Sequence, residues 1–195
     1  WRQAAEAAAG IDVDLARRSV DAALALVPAV AALLELKERI CSEQGDWAEA
    51  LAALEALAAA QPDGVHPLRV NTLLRAAGLA DVSLDAPARA LALYQQVAAL
   101  EPGLHEAWSG IAGSARRTGD KAVLTDALDR LLALPDAGRD ARARAALERV
   151  GLAVDAEEAE PLAPALGVLA QLGACGDLVE AEEMLLQVAL AQLDL

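Results

Sequence analysis

Four prolines divide this sequence at nearly regular intervals, and a similar set of apolar residues precedes each one. The prolines are 34, 40 and 33 residues apart, at Pro28, Pro62, Pro102 and Pro135. The four apolar ladders are Ala16–Val20–Ala23, Ala50–Leu54–Leu57, Ala90–Tyr94–Val97 and Leu124–Leu128–Leu131. A step of four residues followed by a step of three keeps side chains on one face of an α-helix. Because proline cannot continue a helix, each ladder is predicted to lie in a helix that ends before its proline.

A Gly-Asp pair lies four or five residues before three such ladders. The pairs are Gly45-Asp46, Gly119-Asp120 and Gly176-Asp177, the last before Ala181 and Leu185. Glycine accepts the left-handed backbone conformation that ends one helix, and aspartate caps the start of the next. Each pair therefore predicts a tight turn between two antiparallel helices.

Composition supports helices and argues against a sheet. Alanine makes up about a quarter of the chain, aromatic residues only 2%, and phenylalanine is absent. Alanine is the best helix former, whereas strands favour β-branched and aromatic residues, which are scarce here. Frequent Ala, Arg and Gly with only two lysines is typical of a GC-rich bacterial gene. The net charge of −14 argues against binding to nucleic acid or anionic lipid, because both require clustered Lys and Arg.

Nothing in the sequence predicts a disulfide, a metal site or a membrane span. Cys41 and Cys175 fall on apolar helix faces and are predicted to be buried free thiols. Uncharged stretches are shorter than the roughly 18 residues of a membrane-spanning helix. The chain opens on Trp1 without an initiator Met or signal pattern, so we expect a fragment of a longer, cytoplasmic protein.

These features together resemble the tetratricopeptide repeat (TPR) family, whose unit is about 34 residues with the pattern W-x2-L-G-x2-Y, A-x3-F, P. The best copy is Trp108-x2-Ile111-Ala112-x2-Ala115, Gly119-Asp120, Leu124-x3-Leu128 and Pro135. The resemblance implies an all-α solenoid, a superhelix of antiparallel helix pairs with about eleven helices. Approximate repeats are predicted at 1–28 (truncated, with a first helix in 1–9), 30–64, 66–103, 104–136, 138–160 and 162–195.

Two regions depart from the repeat pattern. A six-residue insertion near Asp81–Ala86 separates the helix around Leu73–Gly78 from its partner. Residues 138–153 predict a helix, but the chain between Pro135 and the last copy has room for only one. Either a repeat has lost a helix, or the pairing shifts and residues 177–193 form a lone capping helix.

No catalytic arrangement is visible. His66 and His105 fall in predicted turns, which favours solvated histidines over catalytic ones. The acidic run Asp155–Glu160 lacks the alternating ligands and turn glycine of a calcium loop. Core packing is predicted for Trp47, Tyr94 and Trp108. We therefore expect neither an enzyme nor a cofactor or metal site.

The family resemblance implies a binding surface on the concave face formed by the first helix of each pair. Carried onto this sequence, its residues are Glu35, Arg39, Ser42, Arg75, Ser109 and Arg116. The three arginines suit a carboxylate or acidic peptide, although an ordinary solvated face is the alternative. The Lys and Asn set with which some members clamp a C-terminal carboxylate is absent.

The leading functional hypothesis is a non-enzymatic scaffold that binds a peptide or partner protein on this face. The alternative is a structural spacer or oligomerisation module that self-associates through its exposed ends. RNA binding in the manner of pentatricopeptide arrays is disfavoured by the negative charge.

Overall fold

The computed structural model describes residues 12–61, 67–134, 138–155 and 163–172, which form nine α-helices, one π-helical segment and no strand. The helices are α1 (Val13–Leu26), α2 (Ala31–Glu43), α3 (Trp47–Ala60), α4 (Pro67–Gly78), α5 (Pro87–Leu100), α6 (His105–Thr118), α7 (Lys121–Ala133), α8 (Arg139–Asp155) and α9 (Ala163–Leu172). The all-helical prediction is confirmed. The described residues hold nine helices rather than eleven, and the further helices expected in 1–9 and 177–193 lie outside them.

Contacts divide the chain into two units, Trp1–Pro102 and Gly103–Leu195. In the first unit, α1 packs against α2, α2 against α3, α3 against α4, and α4 against α5. In the second unit, α6 packs against α7, α7 against α8, and α8 against α9. Within each unit a helix thus packs mainly on its neighbours in sequence, as in repeat proteins built from stacked helix pairs. The repeat boundaries and the continuous superhelix stay predictions.

The Gly-Asp turns are confirmed at both places that can be compared. Gly45 and Gly119 have φ angles of +72° and +76°, a conformation that side chains other than glycine rarely adopt. The carboxylate of Asp46 accepts a hydrogen bond from the backbone N–H of Glu49 (3.4 Å), and that of Asp120 accepts one from Val123 (3.1 Å). Each Asp therefore caps the helix that follows it. Gly176-Asp177 lies outside the described residues.

The four apolar ladders form the cores of the helix pairs. All of their residues are buried except Tyr94, which is half-buried. Pro28 and Pro102 lie in the turns directly after α1 and α5, as predicted, whereas Pro62 and Pro135 are not described. Cys41 is a buried free thiol, and its burial raises its pKa. Cys175 falls outside the residues that can be compared.

The expectation of core packing is wrong for Trp47. It is 37% exposed, because as the first residue of α3 it stands beside the open turn rather than between helices. Trp108 is half-buried, and the guanidinium of Arg130 lies 5.6 Å from the centre of its ring. That distance suits a cation–π contact, and Trp108 is therefore only partly enclosed by its neighbours.

The insertion expected near Asp81–Ala86 forms a wider helical turn after α4. Directly after α4, residues Leu79–Ser83 form a π-helical segment, in which the N–H of Leu84 donates to the carbonyl of Leu79 (3.2 Å). Asp85 then takes a φ of +50°, which short polar residues tolerate best after glycine. The extra residues are thus absorbed in a wider turn at the end of α4.

The helix predicted at 138–153 is confirmed as α8, which contacts both α7 and α9. None of the helices in the described ranges has the length and apolarity that a membrane crossing requires.

Candidate functional site

A shallow depression of about 620 Å³ lies on the polar face of α2 in the first unit. Its lining residues on α2 recur at steps of three and four, which places them along one side of the helix. They are Glu35, Glu38, Arg39, Ser42 and Glu43, and α4 adds Arg75. We call this surface the α2 depression. All four residues that the sequence analysis selected in the first unit therefore lie together.

One of the two arginines in the α2 depression forms an ion pair. Nη2 of Arg75 lies 2.6 Å from Oε2 of Glu38, and this pair connects α4 to α2. The hydroxyl of Ser42 donates to Oε1 of the same Glu38 (3.1 Å). Arg39 is exposed and forms no ion pair within the described ranges. With three glutamates against two arginines, the residues that line the α2 depression carry a formal net negative charge.

A second groove of about 290 Å³ lies between α6 and α8 in the second unit. Helix α6 lines it with His105, Ser109, Ala112 and Arg116, and α8 lines it with Ala141, Arg144, Ala145 and Glu148. Its base is apolar, since Leu128 and Leu131 of α7 line it and both are buried. We call this surface the α6–α8 groove. It contains the two remaining selected residues, Ser109 and Arg116.

Arg116 and Glu148 form a two-pronged ion pair across the α6–α8 groove. Nε and Nη2 of Arg116 each lie 2.7 Å from an oxygen of the Glu148 carboxylate. This hydrogen bonding raises the pKa of Arg116. The planar fork of arginine matches a carboxylate in this geometry, so the pair fixes α6 against α8.

His105 is not in a turn, which corrects the sequence prediction. It is the first residue of α6, half-buried, and its Nε2 shares a hydrogen bond with the hydroxyl of Ser109 (3.1 Å). Ser109 follows His105 by four residues, about one helical turn. This spacing, which is visible in the sequence, would have indicated that the two side chains lie on one face of a helix. His66 lies outside the described residues.

Arg144 and Glu148 are groove residues that the sequence analysis did not select. Arg144 is exposed, and its Nε donates to the backbone carbonyl of Asp140 (3.2 Å), while no carboxylate in the described ranges pairs with it. Arg144 and Glu148 are four residues apart and so share a face of α8. They escaped notice because α8 lacks the TPR pattern, which left its exposed face unassigned.

These surfaces offer charged groups and hydrogen-bonding groups. Among the described residues, no group of three or more His, Cys, Asp or Glu side chains could hold a metal ion. The grooves can accept charged and polar side chains along about two turns of α2 and about three turns of α6. Helices that pack mainly on their neighbours in sequence are typical of a helical-repeat protein.

Comparison with solved structures specifies the type of repeat. YrrB, described as a TPR protein with an unusual peptide-binding site, matches with a TM-score of 0.53 and 16% identity over 92% of this chain and 88% of that one. MamA matches with a TM-score of 0.51 and 12% identity over 94% of this chain and 92% of the other. No protein-family model matches the sequence, and neither does any curated protein. The chain therefore has a TPR-like helical-repeat fold.

Proposed function

We propose that this chain is a non-enzymatic interaction module that binds partner-protein segments on the face of α2 and, independently, on the face of α6. The observation that supports this proposal is the position of the six residues selected from the sequence. All of them line open polar grooves on those helices, and none is in the core. Exposed polar residues on a rigid helical framework are suited to binding, since they can change without loss of the fold.

The fold likeness supports the same proposal. YrrB, a TPR protein, is described as having a peptide-binding site, and a groove along a helix is a place where a peptide segment can bind. Each groove in this chain is small, so the affinity of one site would be modest.

Site-specific photocrosslinking in cells tests the proposal. A benzophenone amino acid placed at Arg39 or at Ser109 should crosslink to a partner protein, because these residues line the α2 depression and the α6–α8 groove. Ala52 on α3 and Ala122 on α7 are exposed positions outside both grooves and serve as controls. Crosslinks that form equally at the control positions would contradict the proposal.

A different crosslinking pattern would support the spacer alternative. If the chain serves as a structural spacer, contacts would be made by its ends. Crosslinks would then arise at Trp1 rather than at Arg39 or Ser109, and removal of Trp1–Ala9 would abolish association.

A further inference from the structure

We propose that the α6–α8 groove selects a partner segment that carries closely spaced carboxylates. This inference rests on the proposed function and specifies the chemistry of the segment. The charged residues that line the groove are Arg116, Arg144 and Glu148. Since Glu148 neutralises Arg116, the charge of Arg144 remains uncompensated within the described residues.

The rest of the groove adds hydrogen-bonding groups and an apolar base. Ser109 and His105 share one hydrogen bond, and with a neutral ring the tautomer decides which of them, the Ser109 hydroxyl or Nδ1–H of His105, can donate to a carboxylate or a peptide carbonyl. Among the apolar residues that line the groove, Ala141 is half-buried and would contact an apolar side chain of the segment. A ligand that suits all of these groups alternates acidic and apolar residues.

The length of the groove limits the segment. From His105 to Arg116 the helix advances roughly 16 Å, at about 1.5 Å per residue. An extended peptide covers about 3.3 Å per residue, so the groove accommodates about five residues. Arg144 is one turn before Glu148 on the opposite wall, which places its charge along the groove rather than beyond its end.

The chain's overall negative charge does not prevent this selectivity. At physiological ionic strength the Debye length is about 8 Å, so distant carboxylates are largely screened and the groove's own charges dominate. The α2 depression provides the contrast within the same chain. Its three glutamates and two arginines would disfavour an acidic segment.

Binding of synthetic peptides to the full chain tests the inference. The probe is a fluorescein-labelled hexapeptide that alternates Asp and Leu and is blocked at both ends, so that only internal carboxylates are present. Matched peptides carry Asn or Lys in place of Asp. By fluorescence anisotropy, we expect the Asp peptide to bind about tenfold more tightly than the Asn peptide and the Lys peptide to bind least.

Two variants with the same change in net charge locate the effect. Arg144→Glu should weaken binding of the Asp peptide about fivefold to tenfold, because it reverses the uncompensated charge. Arg18→Glu changes the net charge equally, but Arg18 is an exposed residue of α1 outside both grooves, so this change should leave binding unchanged. If Arg144→Glu fails to fold by circular dichroism, Arg144→Gln replaces it, with an expected loss of about threefold.

Two outcomes would overturn the inference. The first is equal affinity for the Asp and Asn peptides, and the second is an equal loss in Arg18→Glu and Arg144→Glu. A dimer in sedimentation that Arg144→Glu dissociates would support the carboxylate selectivity and would identify a second copy of this chain as the partner, since residues 151–195 contain nine Asp and Glu but no Lys or Arg.

The two proposals can fail separately. If Ser109 crosslinks to a partner while the Asp and Asn peptides bind equally, the interaction module remains and its charge selectivity is wrong. If the Asp peptide binds through Arg144 but neither Arg39 nor Ser109 crosslinks to any protein in cells, the selectivity remains and the cellular function is wrong.

Discussion

Lys37 and Asp46 connect three helices of the first unit through single side chains. Nζ of Lys37 lies 3.0 Å from Asp21 on α1 and 2.9 Å from Glu49 on α3. Burial opposes the charge of Lys37, but the hydrogen bonds to Glu49 and Asp21 outweigh it, and its pKa is raised. Asp46 connects α1 to the turn before α3 through Arg17, at 2.7 Å. Together these side chains join α1, α2 and α3, which follow one another in the sequence.

The ion pair of Asp46 should make stability depend on pH. Its hydrogen bond with Arg17, together with the one from the N–H of Glu49, lowers the pKa of the Asp46 carboxyl. A depressed pKa stabilises the folded state above the unfolded pKa of about 3.9, and the contribution is lost as the pH falls through the lower, folded value.

The variant Asp46→Asn isolates this contribution, because asparagine also caps helices but carries no charge. We expect the wild type to melt at a higher temperature than Asp46→Asn by a constant margin from neutral pH down to about 5. Below about 3.9 the margin should shrink. Thermal melts followed by circular dichroism over this range measure it, and a margin that persists at the lowest pH would show that the pKa of Asp46 is not depressed.

Helices were the features that the sequence predicted best, because their signals are local. The four-plus-three spacing of Ala50, Leu54 and Leu57 identifies a buried face without any knowledge of neighbouring helices. The pairing of Arg75 with Glu38 and of Arg116 with Glu148 was not predictable in the same way. These partners are 37 and 32 residues apart, so their meeting depends on how one helix stacks on the next.

Close approach between paired helices explains why some ladder positions are alanine. Ala50 has no exposed surface, so a large side chain there must displace the adjacent helix. We expect Ala50→Trp to lower the free energy of unfolding by about 1–3 kcal/mol through overpacking. Ala52→Trp, on the exposed side of the same helix, should change it by no more than about 0.5 kcal/mol. Urea titrations of both variants give these values, and equal losses would mean that the assigned core face of α3 is wrong.

Over the full length of the chain, the sequence predicted the type of fold better than the site. Periodic alanine and leucine specify stacked helices, whereas the chemistry of a groove depends on which charges remain unpaired after stacking. Arg39 and Arg144 remain unpaired within the described ranges, but Arg75 and Arg116 do not. From sequence alone, all four are exposed arginines on helices. Of the three arginines that the sequence analysis selected, Arg75 and Arg116 are thus paired with glutamates, and Arg39 is not paired in the part of the chain that the structure describes.

The pattern of neighbour contacts leads to an expectation about how the chain unfolds. In repeat proteins, stability is approximately the sum of local terms and nearest-neighbour interfaces, so damage stays near its origin. We expect Ala50→Trp to accelerate hydrogen exchange in α2, α3 and α4, since α2 and α4 pack directly against α3. Amides in α6 and α7, which belong to the other unit, should keep their wild-type exchange rates.

Native-state exchange followed by mass spectrometry distinguishes the two regions, and Ala52→Trp is the control for the added indole. A uniform loss of protection from α1 to α9 would show instead that the chain unfolds as one cooperative unit.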